Sequence, residues 1–138
     1  MDVVTRPKSV DPAQMRAAVL DVLPWLVDAD VPDPQRPTIA AAVRQSARTL
    51  AQLAPGASVE VRVPPFVAVQ CIAGPRHTRG TPPNVVETTP RVWLRLVAGL
   101  VDFDAAVAAG DVSSSGFRAS EVGGFLPLIR VPAPGGGE

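Results

Sequence analysis

The chain has few of the residue types that most often form disulfides, bind metals or transfer protons. Its 138 residues include one cysteine, one histidine and no tyrosine. The single cysteine, Cys71, excludes an internal disulfide and any zinc site built on paired cysteines. The single histidine, His77, has no evident partner to orient it, which a general base requires. The composition therefore predicts no catalytic residue, no metal and no cofactor.

The chain also lacks an excess of charge and a long apolar run. Thirteen acidic and thirteen basic residues give a formal net charge of zero. Nucleic-acid-binding proteins depend on basic residues that neutralise phosphates, so we expect no nucleic-acid partner. No apolar run approaches the 18 residues of a membrane span. The opening stretch, MDVVTRPKSVDPAQ, has no apolar core of signal-peptide length, so we expect a cytoplasmic protein.

The length and apolar content indicate one globular domain. A chain of 138 residues with 46% hydrophobic residues is long enough to form a single core without disulfides or a structural metal. We expect residues 10–131 to form that domain. Residues 1–9 are predicted to be a flexible N-terminus and residues 132–138 a disordered tail.

Capping residues and prolines locate two helices in the first half of the chain. Asp11 followed by Pro12 is typical of a helix start, and Pro24 should kink or end that helix. Its apolar stripe consists of Met15, Val19, Val22 and Leu26. A second helix is predicted to begin at Thr38 and to end before Pro55-Gly56. The proline-rich residues 27–37 between them are predicted to be a loop.

Four segments have the pattern of strands. Residues 58–63, SVEVRV, alternate apolar and charged side chains, which predicts a strand with one exposed face. Residues 66–73, FVAVQCIA, are apolar on both faces and are predicted to be a central, buried strand antiparallel to the first. Residues 84–88 are a short strand candidate. Residues 111–117, DVSSSGF, indicate a strand of small residues or a strand edge.

Two more helices follow the third strand, and the order of elements sets the fold class. Thr89-Pro90 starts a helix that ends at Gly99, and Asp102 caps a short helix that ends at Gly110. Helices on either side of a group of strands favour an α+β fold, with helices packed on one face of a largely antiparallel sheet.

The second half of the chain resembles a known family. VWLRLVAGLVDFDAAVAAGDVSSSG is similar to the closing half of sterol carrier protein-like domains, in which an aromatic-bearing helix, a short alanine-containing helix and a strand each end at glycine. The matching positions are Trp93, Gly99, Ala106, Gly110 and Gly116. The run VEVRVPPFVAVQCIAGPRHTRGTPPNVVE resembles the small bacterial branch of single-domain orthologues. Together these stretches lie within residues 38–128.

This resemblance implies a twisted, mostly antiparallel sheet of about five strands, with helices on one face and an apolar cavity between them. Phe117 follows Gly116 where many members of the family place aspartate. A related domain ends the thiol-dependent maleylpyruvate isomerases, but this chain lacks their metal-binding helical partner domain.

The loop GPRHTRGTPPNVVE, residues 74–87, is the candidate site for an anion. Arg76, His77 and Arg79 lie within four residues, and Thr81 adds a hydroxyl. Such a set suits a carboxylate or phosphate group, because guanidinium groups donate in pairs and glycine-flanked amides form anion nests. The alternative is a rigid connection whose arginines pair with the acidic residues Glu60, Glu87 or Asp102. Asn84 either satisfies the loop backbone or faces a ligand.

Apolar residues from the last third of the chain form either a plain core or the lining of a ligand cavity. They are Trp93, Leu96, Phe103, Val107, Phe125, Leu126, Leu128 and Ile129. For a cavity, we expect Trp93, Phe103, Phe125 and Leu126 to contact the ligand. The pair Gly123-Gly124 is then a candidate hinge for a C-terminal lid.

Three other groups of residues are of types found in catalytic or metal-binding sites, but their sequence contexts do not match such sites. Cys71 lies in an apolar strand, where thiols are usually inert. Asp28, Asp30 and Asp33 lack the glycine and the closing glutamate of a calcium loop. Ser113, Ser114 and Ser115 have no nucleophile-elbow context.

We therefore predict a non-enzymatic binding or carrier module for a hydrophobic or amphipathic acidic small molecule. The alternative is a protein-interaction or dimerisation module, and the chain is expected to be a monomer or a homodimer.

Overall fold

The computed structural model describes residues 9–75 and 84–131. Five α-helices, one 3₁₀ helix and four strands lie in these ranges. In chain order they are α1 (Pro12–Asp21), α2 (Leu23–Val27), α3 (Arg36–Leu53), β1 (Val59–Val63), β2 (Val67–Cys71), β3 (Val85–Thr88), α4 (Pro90–Val97), α5 (Phe103–Ala108), β4 (Val112–Ser115) and the 3₁₀ helix (Ala119–Phe125). Within the described ranges, no helix is both long and apolar enough to cross a membrane.

The four strands form one mixed sheet in the order β2-β1-β3-β4. β1 pairs antiparallel with β2 and parallel with β3, and β3 pairs antiparallel with β4. The α+β class is confirmed. The described residues contain four strands rather than about five, and one of the pairings is parallel.

The parallel pairing fixes where the chain crosses the sheet. β2 ends with Cys71 opposite Val59, and β3 begins with Val85 opposite Glu60. The two strands therefore lie on opposite sides of β1, and Cys71 and Val85 both lie at the end of the sheet where β1 begins.

The prediction that residues 66–73 form a central strand was wrong, because β2 is an edge strand. The side chains of Val67, Val69 and Cys71 face the helices, whereas those of Ala68 and Gln70 are exposed. Alanine made the exposed face look apolar in the sequence, but a side chain this small is tolerated on a solvated face. The central position belongs to β1, whose three valines are fully buried.

The helices cover one face of this sheet and form a continuous core from Met15 to Ile129. The predicted apolar stripe of the first helix is buried, and α1 ends just before Pro24, which lies in the first turn of α2. α3 begins at Arg36 rather than Thr38, so Thr38 is not its cap. The reason is Pro37, whose fixed backbone angle suits the first turn of a helix.

Two polar contacts attach α4 to the other helices. The buried indole of Trp93 donates from Nε1 to Ser46 Oγ of α3 at 2.9 Å, and that hydroxyl donates to Ala42 O at 2.7 Å. On the other side, Arg91 Nη2 donates to Trp25 O at 3.1 Å, and Arg95 donates to Leu26 O. These carbonyls lie at the end of α2, where a cation also interacts favourably with the helix dipole.

Removing the Ser46 hydroxyl should destabilise the protein. Ser46→Ala leaves the Trp93 N–H buried without an acceptor, so we expect the free energy of unfolding to fall by about 1–3 kcal/mol in urea denaturation. In a Trp93→Phe background no donor is left unpaired, and the same serine change should have a much smaller effect. Equal losses in both backgrounds would show that the indole contact does not stabilise the fold.

Candidate functional site

A cleft opens between the end of α4, the start of α5 and the segment that follows the 3₁₀ helix. Its volume is about 220 Å³. The lining residues are Leu96, Gly99, Val101, Asp102, Phe103, Gly123, Leu126 and Pro127. Except for one carboxylate, these side chains are apolar or absent, which suits an apolar ligand group.

Backbone hydrogen bonds hold the two walls of the cleft together. The carbonyl oxygen of Val97, at the end of α4, accepts from Leu128 N at 2.9 Å and from Ile129 N at 3.2 Å. These bonds fix residues 126–129 alongside the turn that joins α4 to α5. The width of the cleft therefore depends on the side chains that lie between these two backbone segments.

Two glycines keep the walls close without filling the space. A methyl group on Gly123 would lie 3.0 Å from Phe103 Cδ2 and 3.1 Å from its Cβ. A methyl group on Gly99 would lie 3.3 Å from Pro127, and the backbone φ of Gly99 is +74°, which disfavours any side chain. Gly124 differs, because a methyl group there would meet no atom within 4 Å.

The single charge in the lining belongs to Asp102. Its Oδ2 accepts a hydrogen bond from Ala105 N at 3.1 Å and so caps α5, as the sequence predicted. The same carboxylate disfavours the binding of an anion inside the cleft, because like charges repel most strongly where water is partly excluded.

The structure brings only some of the predicted apolar residues to this cleft. Phe103 and Leu126 line it, together with Leu96. Trp93 instead lies in the core, where its indole is hydrogen-bonded to Ser46. Phe125 is 38% exposed and lies outside the lining.

The candidate hinge Gly123-Gly124 lies within the last turn of the 3₁₀ helix. Gly123 packs on the ring of Phe103, so this residue is a tight packing point rather than a free joint.

Most of the predicted anion site lies outside the described residues, including Arg76, His77, Arg79 and Thr81. Asn84 is described and is buried. Its Nδ2 donates to Ser58 O at 2.7 Å, and its Oδ1 accepts from Arg118 N at 2.8 Å. Of the two roles open to Asn84 in the sequence, this geometry is that of backbone satisfaction.

The two ends of the predicted anion loop are held by residues that the sequence did not single out. Ser58 donates from Oγ to Ile72 O at 2.7 Å, and Ser58 N donates to the same oxygen at 3.1 Å. Ile72 has a φ of +68°, an unusual conformation for a β-branched residue, and these bonds hold it there. Arg118 donates from Nη1 to Ala73 O at 3.4 Å. No local signal predicts these contacts, because the partners are 14 or more residues apart.

Two of the acidic residues considered as partners for the loop arginines lie close to Arg62. Arg62 on β1 lies 2.5 Å from a carboxylate oxygen of Glu60 and 4.0 Å from one of Glu87. All three side chains lie on the exposed face of the sheet, where such pairs contribute little to stability.

The remaining candidates are in structural roles. Cys71 is fully buried, and this burial raises the pKa of its thiol to about 11. Asp33 Oδ1 accepts from the Trp25 indole at 3.1 Å, and Asp28 Oδ1 accepts from Asp30 N at 2.9 Å. In the part of the chain that the structure describes, no three histidine, cysteine or acidic side chains are grouped to hold a metal ion.

Comparison with known proteins identifies the family. A family model described as bacterial SCP ortholog matches residues 35–128, from the residue before α3 to the segment that closes the cleft. Comparison with curated proteins gives no match. The matched range covers more than half of the chain and includes the whole sheet and every residue that lines the cleft. The chain therefore belongs to the bacterial single-domain family of sterol carrier protein orthologues.

Proposed function

We propose that this protein is a non-enzymatic carrier that binds the apolar part of a lipid-like small molecule in the cleft between α4, α5 and residues 126–129. The observation that carries this proposal is the cleft itself. Apolar side chains line it, and glycines stand at the two points where a methyl group would touch the opposite wall. Membership of the sterol carrier protein-like family supports binding of a lipid-like molecule.

The size of the cleft limits how much of the ligand it holds. Its volume of about 220 Å³ is below the 300–1,000 Å³ of pockets that bury a whole drug-sized molecule. We therefore expect one end of the ligand to be enclosed and the rest to extend past Leu126, which is partly exposed at the edge of the cleft.

The polar end of the ligand belongs outside the cleft, because the Asp102 carboxylate opposes an anion inside it. The 3₁₀ helix connects the cleft with the ends of the predicted anion loop, since Gly123 lines the former and Arg118 bonds to the latter. We propose that an acidic head group is recognised by Arg76 and Arg79, with His77 and Thr81 as further candidates, because guanidinium groups donate in pairs to carboxylates and phosphates.

A role without catalysis is supported by the state of the nucleophile candidate. The pKa of the Cys71 thiol is about 11, so at pH 7 the thiol is protonated and unreactive. A cytoplasmic location and the arrangement of residues 10–131 as one domain stay predictions of the sequence.

A methyl group at Gly123 should weaken ligand binding. Gly123→Ala adds a methyl group to the lining and presses it against Phe103, so we expect the affinity for 1-decanol, measured by calorimetric titration, to fall about tenfold or more. Gly124→Ala is the matched control, because its methyl group meets open space. Melting temperatures of both variants separate lost binding from lost folding. Equal affinities in both folded variants would contradict binding in this cleft.

Neutralising Asp102 should favour acidic ligands selectively. Asp102→Asn keeps a side chain that caps α5 well and removes the charge. We expect decanoic acid to bind about three- to tenfold more tightly and 1-decanol to bind unchanged. Asp11→Asn removes the charge of another helix cap, outside the cleft lining, and should alter neither affinity. A uniform effect on both ligands would argue against a carboxylate facing the ligand.

The predicted head-group contact has its own test. Arg79→Ala should weaken the binding of decanoic acid by about 1.5–3 kcal/mol, or roughly 10- to 150-fold, and leave the binding of 1-decanol unaffected. Arg48→Ala removes an exposed arginine of α3 and serves as the control. If Arg79→Ala leaves the acid unchanged while Gly123→Ala still weakens the alcohol, the cleft remains the site and the loop is not part of it.

A further inference from the structure

The outermost strand on one side of the sheet is β4, Val112–Ser115. One of its edges pairs with β3 over the whole strand. Among residues 9–75 and 84–131, no hydrogen bond reaches the backbone of β4 on its other edge. After Gly116 the chain turns back towards Asn84, whose Oδ1 accepts from Arg118 N. With respect to the described residues, the edge therefore offers a row of backbone donors and acceptors.

In the described part of the chain this edge lacks charge, proline and a covering element, and its one protective feature is its length of four residues. Natural edge strands carry charged side chains, proline or a covering element. β4 has the sequence VSSS, with no charge and no proline. The opposite edge differs: β2 directly follows Pro64-Pro65 and Phe66, whose ring lies 5.1 Å from the guanidinium of Arg36 and 5.8 Å from that of Arg44.

A large apolar side chain stands at the end of the open edge. Phe117 is 98% exposed, more than any other large hydrophobic residue in the described part of the chain. It follows the positive-φ Gly116, two residues after the last residue of β4. A partner that pairs with β4 would therefore also cover this ring.

We propose that β4 is the interface of a homodimer, in which β4 of one copy pairs antiparallel with β4 of a second copy and the two sheets become one. A strand paired with itself about a two-fold axis presents the same surface twice, which is the usual symmetry of dimers. The strand suits this arrangement because it carries no charge that would face its own copy. On the exposed face Ser113 and Ser115 meet serines of the partner strand, and such pairs form favourable cross-strand contacts.

Charge substitutions on the exposed face of β4 test the proposal. Sedimentation equilibrium of the full chain, from micromolar to millimolar concentration, should show a monomer–dimer equilibrium. Ser113→Lys with Ser115→Lys should raise the dimer dissociation constant by more than tenfold, because it places like charges opposite each other in the registers that pair these serines with serines of the second copy. Ser113→Glu with Ser115→Glu should do the same. A mixture of the two variants should form a heterodimer.

Controls separate this interface from other effects. Ala68→Lys with Gln70→Lys places the same charges on the same face at the opposite edge and should leave the dimer intact. Phe117→Ser should weaken the dimer without lowering the melting temperature of the monomer, because the ring has no contact to lose. A chain that is monomeric at every concentration overturns the proposal. A dimer indifferent to the charges on β4, or two charged variants that fail to combine, overturns it as well.

Discussion

The arrangement of this protein depends on how the chain is held where β1 begins. Ser58 bonds to Ile72, just after β2, and to Asn84, just before β3. These contacts bring the ends of two strands to opposite sides of β1 and allow the parallel pairing. Asn84 also binds the backbone of Arg118, so the same junction directs the chain into the 3₁₀ helix. One set of buried polar contacts thus sets the sheet order and the path towards the cleft.

The cleft is a consequence of the break between α4 and α5. α4 stops at Val97 and α5 starts at Phe103, and the Val97 carbonyl at that break accepts two bonds from the returning chain. A backbone group that a longer helix would have used internally instead holds residues 126–129. The space between is apolar but small, and its one carboxylate belongs to a helix cap. In the proposed carrier, a structural requirement of α5 therefore also influences which ligands bind in the cleft.

The two edges of the sheet differ in charge and in exposed apolar surface. At the β2 edge, Arg36 and Arg44 stack on the ring of Phe66. Arg44 Nε also donates to Phe66 O at 3.1 Å. Positive charge at that edge discourages a further strand. At the β4 edge the strand is uncharged and the exposed Phe117 follows it. No residue of β4 lines the cleft, so the proposed ligand binding and the proposed pairing with a second copy are compatible.

The sequence by itself determined the local features and the family. Asp11, Thr89 and Asp102 cap their helices as predicted, because a cap bonds to backbone groups only two or three residues away. The alternation in residues 59–63 marked a strand correctly for the same reason. Only the tertiary structure decided which strand lies at the edge, which aromatic residues line the cleft and what Asn84 binds. Those outcomes depend on partners far along the chain, such as Trp93 with Ser46, and no pattern of neighbouring residues encodes which distant group will be there.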